Sequence, residues 1–88
     1  MSEIENRGIE VSIISFEQGL QSFAHAEVIR IHSKDYKLMI MQDHAPILGE
    51  VDGDIIILEK EKETKMEGIK GFFTLIDNHF KFIRSNEV

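Results

Sequence analysis

The sequence predicts one small all-β domain, arranged as a sandwich or a barrel, and three observations support this prediction. The chain has 88 residues, which is enough for one domain at most. Its apolar residues form short runs separated by polar turns, at the spacing of about 8–12 residues that is typical of sandwiches and barrels. The runs are rich in β-branched and aromatic residues, which favour strands.

The predicted strands follow the apolar runs, and they cover residues 9–16, 23–32, 36–41, 55–58, 72–76 and 79–83. In the first strand Ile9, Val11 and Ile13 share one face, because alternate residues of a strand point the same way. The last two strands form a predicted hairpin. Asp77-Asn78 between them tolerates the positive φ of a two-residue type I′ turn.

Polar segments between these runs predict three further turns: Glu17-Gln18-Gly19, Ser33-Lys34-Asp35 and Asp52-Gly53-Asp54. The charged segment 59–67 is ambiguous, because its Glu and Lys residues have both helical spacing and strand alternation. We favour a hairpin over a helix there, since alternating charge at a sheet edge discourages unwanted strand pairing.

The composition disfavours several classes of partner. The net charge is −6, from 16 acidic and 10 basic side chains, which argues against nucleic acid and against anionic lipid. The absence of cysteine excludes disulfides and thiol catalysis. No apolar run approaches the roughly 18 residues of a membrane span, and the polar start does not resemble a signal peptide. We therefore expect membrane attachment only through protein partners.

No motif in the sequence predicts catalysis, a metal site or a bound cofactor. His25, His32, His44 and His79 lack a metal-ligand spacing and are interpreted as scattered histidines. The sequence contains no nucleophile elbow and no phosphate-binding glycine loop. Four aromatic residues near the C-terminus are predicted to be core and not a platform for base stacking: Phe72, Phe73, Phe80 and Phe82.

One segment, Asp43-His44-Ala45-Pro46-Ile47-Leu48, changes abruptly from polar to apolar and contains the only proline. Pro46 fixes its own φ and excludes Ala45 from the helical region. The segment is therefore predicted to be a rigid corner after which the chain re-enters the core through Ile47 and Leu48.

An ordered set of segments resembles the N-terminal domain of the F-type ATP synthase epsilon subunit. The set is His44-Ala45-Pro46-Ile47-Leu48, Gly53-Asp54-Ile55-Ile56-Ile57, Lys70-Gly71-Phe72-Phe73 and Asn78. The resemblance covers residues 9–83. It implies a flattened antiparallel β-sandwich of about ten strands, with residues 1–8 as a polar extension, 9–84 as the domain and 85–88 as a tail.

The resemblance also implies a function and partners. The domain would be a non-catalytic rotor part of the central stalk, binding the gamma subunit and the membrane c-ring and coupling ion movement to ATP synthesis or hydrolysis. It would be a peripheral membrane protein on the cytoplasmic side of the cell inner membrane or of an equivalent energy-coupling membrane. The residues matched to the family's ring-contact regions are Ser33, Lys34, Asp35, Tyr36, Lys37, Asp43, His44 and Pro46. We expect the gamma contact to be an exposed apolar patch on one sheet.

The sequence departs from the family pattern in two places. Residues 33–40 replace a glycine-rich loop, and Lys70 replaces the first glycine of a Gly-Gly-Phe-like turn. The family's C-terminal helical hairpin, which inhibits ATP hydrolysis and in some members binds ATP, has no counterpart in these residues, so neither role is carried over. Two alternatives stay open: a stand-alone β-sandwich adaptor in another assembly, and a small metal-dependent enzyme that uses the histidines.

Overall fold

The computed structural model describes residues 8–85, and all regular structure in this range is β-strand. The seven strands are β1 Ile9–Ser15, β2 Gly19–Ala26, β3 Val28–Ser33, β4 Lys37–Met41, β5 Ile47–Glu59, β6 Lys62–Ile76 and β7 His79–Arg84. In the part of the chain described, no helix has the length and apolarity to cross a membrane. Because all regular structure in the described range is β-strand, the all-β prediction is confirmed. The expected terminal segments lie outside the described residues, apart from Gly8 and Ser85.

The strands join into one seven-stranded sheet in the order β2-β1-β7-β6-β5-β3-β4. Neighbours pair antiparallel, except that β1 and β7 run parallel. The sheet is therefore mixed, and the predictions of a purely antiparallel sheet and of about ten strands were wrong for these residues. The strand number is lower because β5 and β6 are long continuous strands of 13 and 15 residues.

Two predicted hairpins are confirmed, and each has a simple cause. Asp77 and Asn78 have φ values of 49° and 61°, as a type I′ turn requires, and Ile76 pairs with His79 across the turn. The charged segment forms the end of the β5–β6 hairpin, where Glu59 pairs with Lys62. Its Glu and Lys side chains remain in water, so a strand costs them no desolvation.

The predicted single strand over residues 23–32 is instead two strands that separate at Glu27. Strand β2 pairs with β1 at one end of the sheet, whereas β3 pairs with β4 and β5 at the other. The chain therefore crosses between distant parts of the sheet at Glu27, whose N–H donates to the carbonyl of Leu58 at 2.7 Å. Local β propensity contains no signal for this change of partner.

The predicted turn at Asp52-Gly53-Asp54 is a bulge inside the continuous strand β5. The pairing with β6 shifts register between Gly53 and Ile55, which bends the strand locally. A side chain at position 53 would collide with the backbone carbonyl of His32 on β3. Glycine is therefore needed here because two backbones approach closely, and not because the chain reverses.

The core forms where the sheet curls over itself. Strand β2 contacts β5 although three strands separate them in the sheet. One continuous cluster accordingly includes residues of all seven strands, and its members are Ile9, Val11, Ile13, Ala26, Ile29, Ile31, Ile40, Val51, Ile55, Ile57, Ile69, Phe73, Leu75, Phe80 and Phe82. Within it, the rings of Phe73 and Phe80 stack with their centroids 5.4 Å apart. One face of the curled sheet lines this core, and the other face points outward.

Candidate functional site

The β3–β4 loop, residues 33–37, is a closed turn anchored to the bulge of β5. The N–H of Ser33 donates to the carbonyl of Tyr36 at 2.8 Å, which closes the loop. Asp52 anchors it from β5: its N–H donates to the Ser33 hydroxyl at 2.9 Å, and its carbonyl accepts from the N–H of Lys34 at 2.9 Å. The loop backbone is therefore held in place, while Lys34, Asp35 and Lys37 point into solvent.

Tyr36 is the member of this loop that points inward. Its ring packs against the core, and its hydroxyl donates to the carbonyl of Glu50. Burial raises the pKa of the Tyr36 phenol above 10.0, with a further increase from the negative charge of Glu50 and a partial offset from the hydrogen bond with Ser33. Of the predicted contact residues, Tyr36 thus fixes the loop and presents little surface of its own.

The β4–β5 corner, residues 43–46, is held by the neighbouring β6–β7 turn. Asp43 has a φ of 67°, and the N–H of His44 donates to the carbonyl of Met41 at 3.2 Å. Asn78 makes two hydrogen bonds to Asp43: its Oδ1 accepts from the backbone N–H at 2.6 Å, and its Nδ2 donates to the Asp43 carboxylate at 3.1 Å. Pro46 is exposed directly before β5.

The structure does not bring these two loops together. They lie at opposite ends of β4, whose five residues span roughly 16 Å. Both loops do lie along the same edge of the sheet, because β4 is an edge strand. A partner that touches both must therefore extend along that edge.

The four histidines lie on separate elements, in β2, in β3, in the corner and at the start of β7. Nε2 of His79 lies 3.0 Å from the carboxylate of Glu10 on the neighbouring strand β1, and Nδ1 of His44 lies 2.8 Å from the carbonyl of the adjacent Ala45. Residues 8–85 contain no group of three or more His, Cys, Asp or Glu side chains suited to holding a metal ion.

An exposed row of apolar side chains crosses the outer face of four adjacent strands. The row, called here the apolar row, consists of Leu20, Ile14, Ile83 and Phe72 on β2, β1, β7 and β6. Each is the direct cross-strand partner of the next. The side chains are 66%, 36%, 48% and 56% exposed, respectively. Side chains directly opposite each other are close enough to contact, so the row is a continuous apolar surface.

Charged residues border the apolar row. Lys70 and Lys81 each lie two positions from a row member on the same strand, and therefore on the same outer face. Both are exposed. At the β5 end the row meets Glu50, the cross-strand partner of Phe72. A partner with an apolar centre, acidic groups beside Lys70 and Lys81 and a basic group beside Glu50 would match this surface.

Two residues predicted to be core, Phe72 and Leu48, are 56% and 76% exposed, so those predictions were wrong. Phe73, Phe80 and Phe82 are buried as predicted. Phe72 and Phe73 are adjacent in a strand, so only one of them can face inward. The alternation marks one of them as outward-facing, but the row itself becomes visible only with the register of β1, β7 and β6.

Comparison with known proteins shows that the fold of this chain is similar to that of a solved structure. No family model matches this sequence, and no curated protein matches it. Among solved structures, the chain superposes on a chain of the cryo-EM structure of the Tetrahymena thermophila mitochondrial ATP synthase central stalk and c-ring. The TM-score is 0.70 and the sequence identity 16%, over 92% of this chain and 66% of that chain. The domain thus has the fold of a protein from an ATP synthase central stalk and c-ring assembly.

Proposed function

We propose that this chain is the β-sandwich domain of an F-type ATP synthase epsilon subunit, and that it acts as a non-catalytic part of the rotor. The observation that carries the proposal is the shared fold with a chain of an ATP synthase central stalk and c-ring structure. The ordered segments around His44, Gly53, Lys70 and Asn78 support it independently, because they resemble the family in the sequence itself.

In this proposal the curled sheet is the family's two-layered sandwich. The half that contains β2, β1 and β7 would form one layer, and the half that contains β3 and β4 the other. The long strands β5 and β6 would contribute to both, since the register shift near Gly53 bends the pair. A rigid body of this kind suits a rotor part that transmits torque.

We assign the gamma contact to the apolar row. Interfaces that persist are apolar at the centre and polar at the rim, and the row with Lys70 and Lys81 beside it has that arrangement. The c-ring contact would lie along the β4 edge, through the exposed residues of the β3–β4 loop and through His44 and Pro46 of the corner. The domain would join the energy-coupling membrane only through these proteins, on the cytoplasmic side of the cell inner membrane.

The first experiment is a pull-down of the tagged chain from gently solubilised host membranes, read by mass spectrometry. We expect the alpha, beta, gamma and ring subunits in stoichiometric proportion. Recovery of a different assembly that lacks these subunits would overturn the rotor assignment and favour the alternative, a stand-alone β-sandwich adaptor.

Two exposed residues provide a matched pair for the gamma contact. Ile83, in the apolar row, is 48% exposed, and Met39, on the β4 edge, is 49% exposed. We expect Ile83→Glu to abolish capture of purified gamma subunit, because it places a charge in the centre of the row, and Met39→Glu to leave that capture intact. Equal capture by both variants would show that gamma binds elsewhere.

The ring contact is tested separately at each end of β4. Lys37→Glu reverses an exposed charge of the β3–β4 loop, and His44→Ala removes the imidazole of the corner. We expect each variant to weaken binding to the isolated c-ring while gamma binding is retained. If ring binding were unchanged in both variants, the placement of the ring along this edge would be abandoned.

A further inference from the structure

We propose that Asn78 is a positioning residue for the β4–β5 corner, and that its carboxamide holds the corner in the conformation that presents His44 and Pro46. Asn78 lies in the β6–β7 turn, 35 residues from Asp43 in the chain. The consequence for ring binding rests on the proposed function, whereas the positioning itself does not.

The corner needs external support because of its backbone conformation. His44 N–H donates to Met41 O, so residues 41–44 form a β-turn with Asp43 at its third position. Asp43 has a φ of 67°, a conformation that glycine adopts readily and that aspartate adopts only occasionally. The turn sequence alone therefore specifies this conformation weakly.

Asn78 supplies that support with both ends of its side chain. Its Oδ1 accepts from the backbone N–H of Asp43 at 2.6 Å, and its Nδ2 donates to the Asp43 carboxylate at 3.1 Å. The two bonds fix both the peptide plane and the side chain of Asp43. One side chain must offer an acceptor and a donor at once, which asparagine does and ionised aspartate does not.

Asn78 is itself fixed in the sheet. It is the second residue of the type I′ turn, and its carbonyl accepts from the N–H of Glu10 on β1 at 2.9 Å. A second link joins the residues directly before β1 and directly before the corner, since the N–H of Gly8 donates to the Gln42 side chain at 3.2 Å. These bonds fix the position of the corner relative to β1 and to the β6–β7 turn, although the corner lies beside the edge strand β4.

The side chains of Asn78 and Asp43 can be exchanged with each other, and this provides a set of variants that tests the proposal. Asn78→Gly keeps the type I′ turn, because glycine accepts positive φ, but removes both bonds to Asp43. Asn78→Asp keeps an acceptor for the Asp43 N–H but sets two carboxylates against each other. The double variant Asp43→Asn with Asn78→Asp exchanges the two groups. It restores one donor, one acceptor and the original net charge.

The readout is amide hydrogen exchange of the purified chain, measured residue by residue by NMR. We expect the Asp43 amide to exchange about tenfold faster in Asn78→Gly, the loss that corresponds to one ordinary hydrogen bond, while amides in the middle of β6 and β7 keep their rates. Asn78→Asp should also show a local loss, because repulsion between the two carboxylates weakens the bond to the Asp43 N–H. The double variant should recover the protection factor of the unaltered chain, that is, the exchange rate relative to the intrinsic rate of the residue at position 43. Unchanged Asp43 exchange in Asn78→Gly, or no recovery in the double variant, would overturn the proposal.

Binding to the isolated c-ring, measured on the same four proteins, separates the positioning from the function. Loss in Asn78→Gly and recovery in the double variant, in step with the exchange rates, supports the corner as a ring contact positioned by Asn78. If exchange follows the expected pattern but ring binding of all four proteins is equal, the positioning stands and the ring role of the corner is rejected. If exchange does not follow the pattern, the positioning by Asn78 is rejected whatever the binding shows.

Discussion

At a few positions the sheet has no room for a side chain, and Gly53 is one of them. A Cβ at position 53 would meet the carbonyl of His32, a backbone atom held in the β3–β5 ladder. A Cβ at position 49 would instead meet the side-chain ring of Phe73 at 3.1 Å. We expect Gly53→Ala to lower the free energy of unfolding by about 1–3 kcal/mol or more, and Gly49→Ala by less. Urea denaturation measures both, and an equal loss would contradict this reading of the bulge.

Because burial raises the pKa of Tyr36, its ionisation should make the stability of the folded chain depend on pH. The phenol pKa is raised above 10.0 in the folded chain, so the folded state keeps this proton at a pH where the unfolded state releases it. The stability that Tyr36 contributes is thus present below pH 10 and is lost as pH rises above it. Tyr36→Phe should make the fall in stability above about pH 10 shallower.

The same variant also tests the hydrogen bond of Tyr36 to Glu50. At neutral pH we expect Tyr36→Phe to cost about 0.5–1.5 kcal/mol, because the carbonyl of Glu50 loses its donor. Urea titrations at several pH values measure both effects. Tyr36 is the only tyrosine of the chain, so phenolate absorbance reports its ionisation directly. Parallel pH profiles of the two proteins would show that the phenol has no part in the alkaline loss.

Among the elements, the β5–β6 hairpin has an unfavourable turn. Its two-residue loop, Lys60-Glu61, has no positive φ, whereas two-residue hairpins favour the type I′ turn because it matches the twist of the strands. The double variant Lys60→Asn with Glu61→Gly permits that turn, and we expect it to raise the free energy of unfolding by roughly 0.5–1 kcal/mol. Lys60→Asn alone is the control, since Glu61 still resists positive φ. Equal stabilities of all three proteins would contradict the argument.

The elements also show how far sequence reasoning reaches. Features that depend on neighbouring residues were predictable: the alternation of Ile9, Val11 and Ile13, and the turn at Asp77-Asn78. The break at Glu27 and the parallel β1–β7 pair were not, because they depend on partners distant in the chain. A bulge and a turn have the same composition at Gly53, and only the approach of β3 distinguishes them.

In the candidate site, too, the features with a local sequence signal were predictable and those that depend on distant residues were not. The corner was found in sequence because Pro46 and the change in polarity are local, and Tyr36 was named although its inward orientation was not foreseen. An exposed apolar patch was expected, but its residues were not identified from the sequence. The four members of the apolar row come from four strands, and each alone resembles a core residue: Leu20, Ile14, Ile83 and Phe72. The support of the corner by Asn78 was equally hidden, because the two segments are 35 residues apart.

At the scale of the whole molecule, β7 joins two parts of the sheet. The β2–β1 pair is hydrogen-bonded to the remaining strands through β7 alone in the described sheet order. Phe80 and Phe82 of β7 are 1% and 0% exposed, and they extend from β7 into the common core. Folding of the β1–β2 hairpin and of the β3–β6 region should therefore be coupled through this strand, as in a single cooperative unit.

Two phenylalanines on adjacent strands test this coupling. Phe82→Ala removes a fully buried ring, and we expect it to cost about 3–5 kcal/mol, a large fraction of the total stability of roughly 5–15 kcal/mol. Phe72→Ala removes a ring that is 56% exposed and should cost about 1 kcal/mol or less. Hydrogen exchange under mild denaturant gives the decisive pattern. If β7 couples the sheet, Phe82→Ala lowers the protection of β1 and of β3 by the same amount, whereas loss confined to β1 and β2 would mean that the two parts of the sheet fold independently.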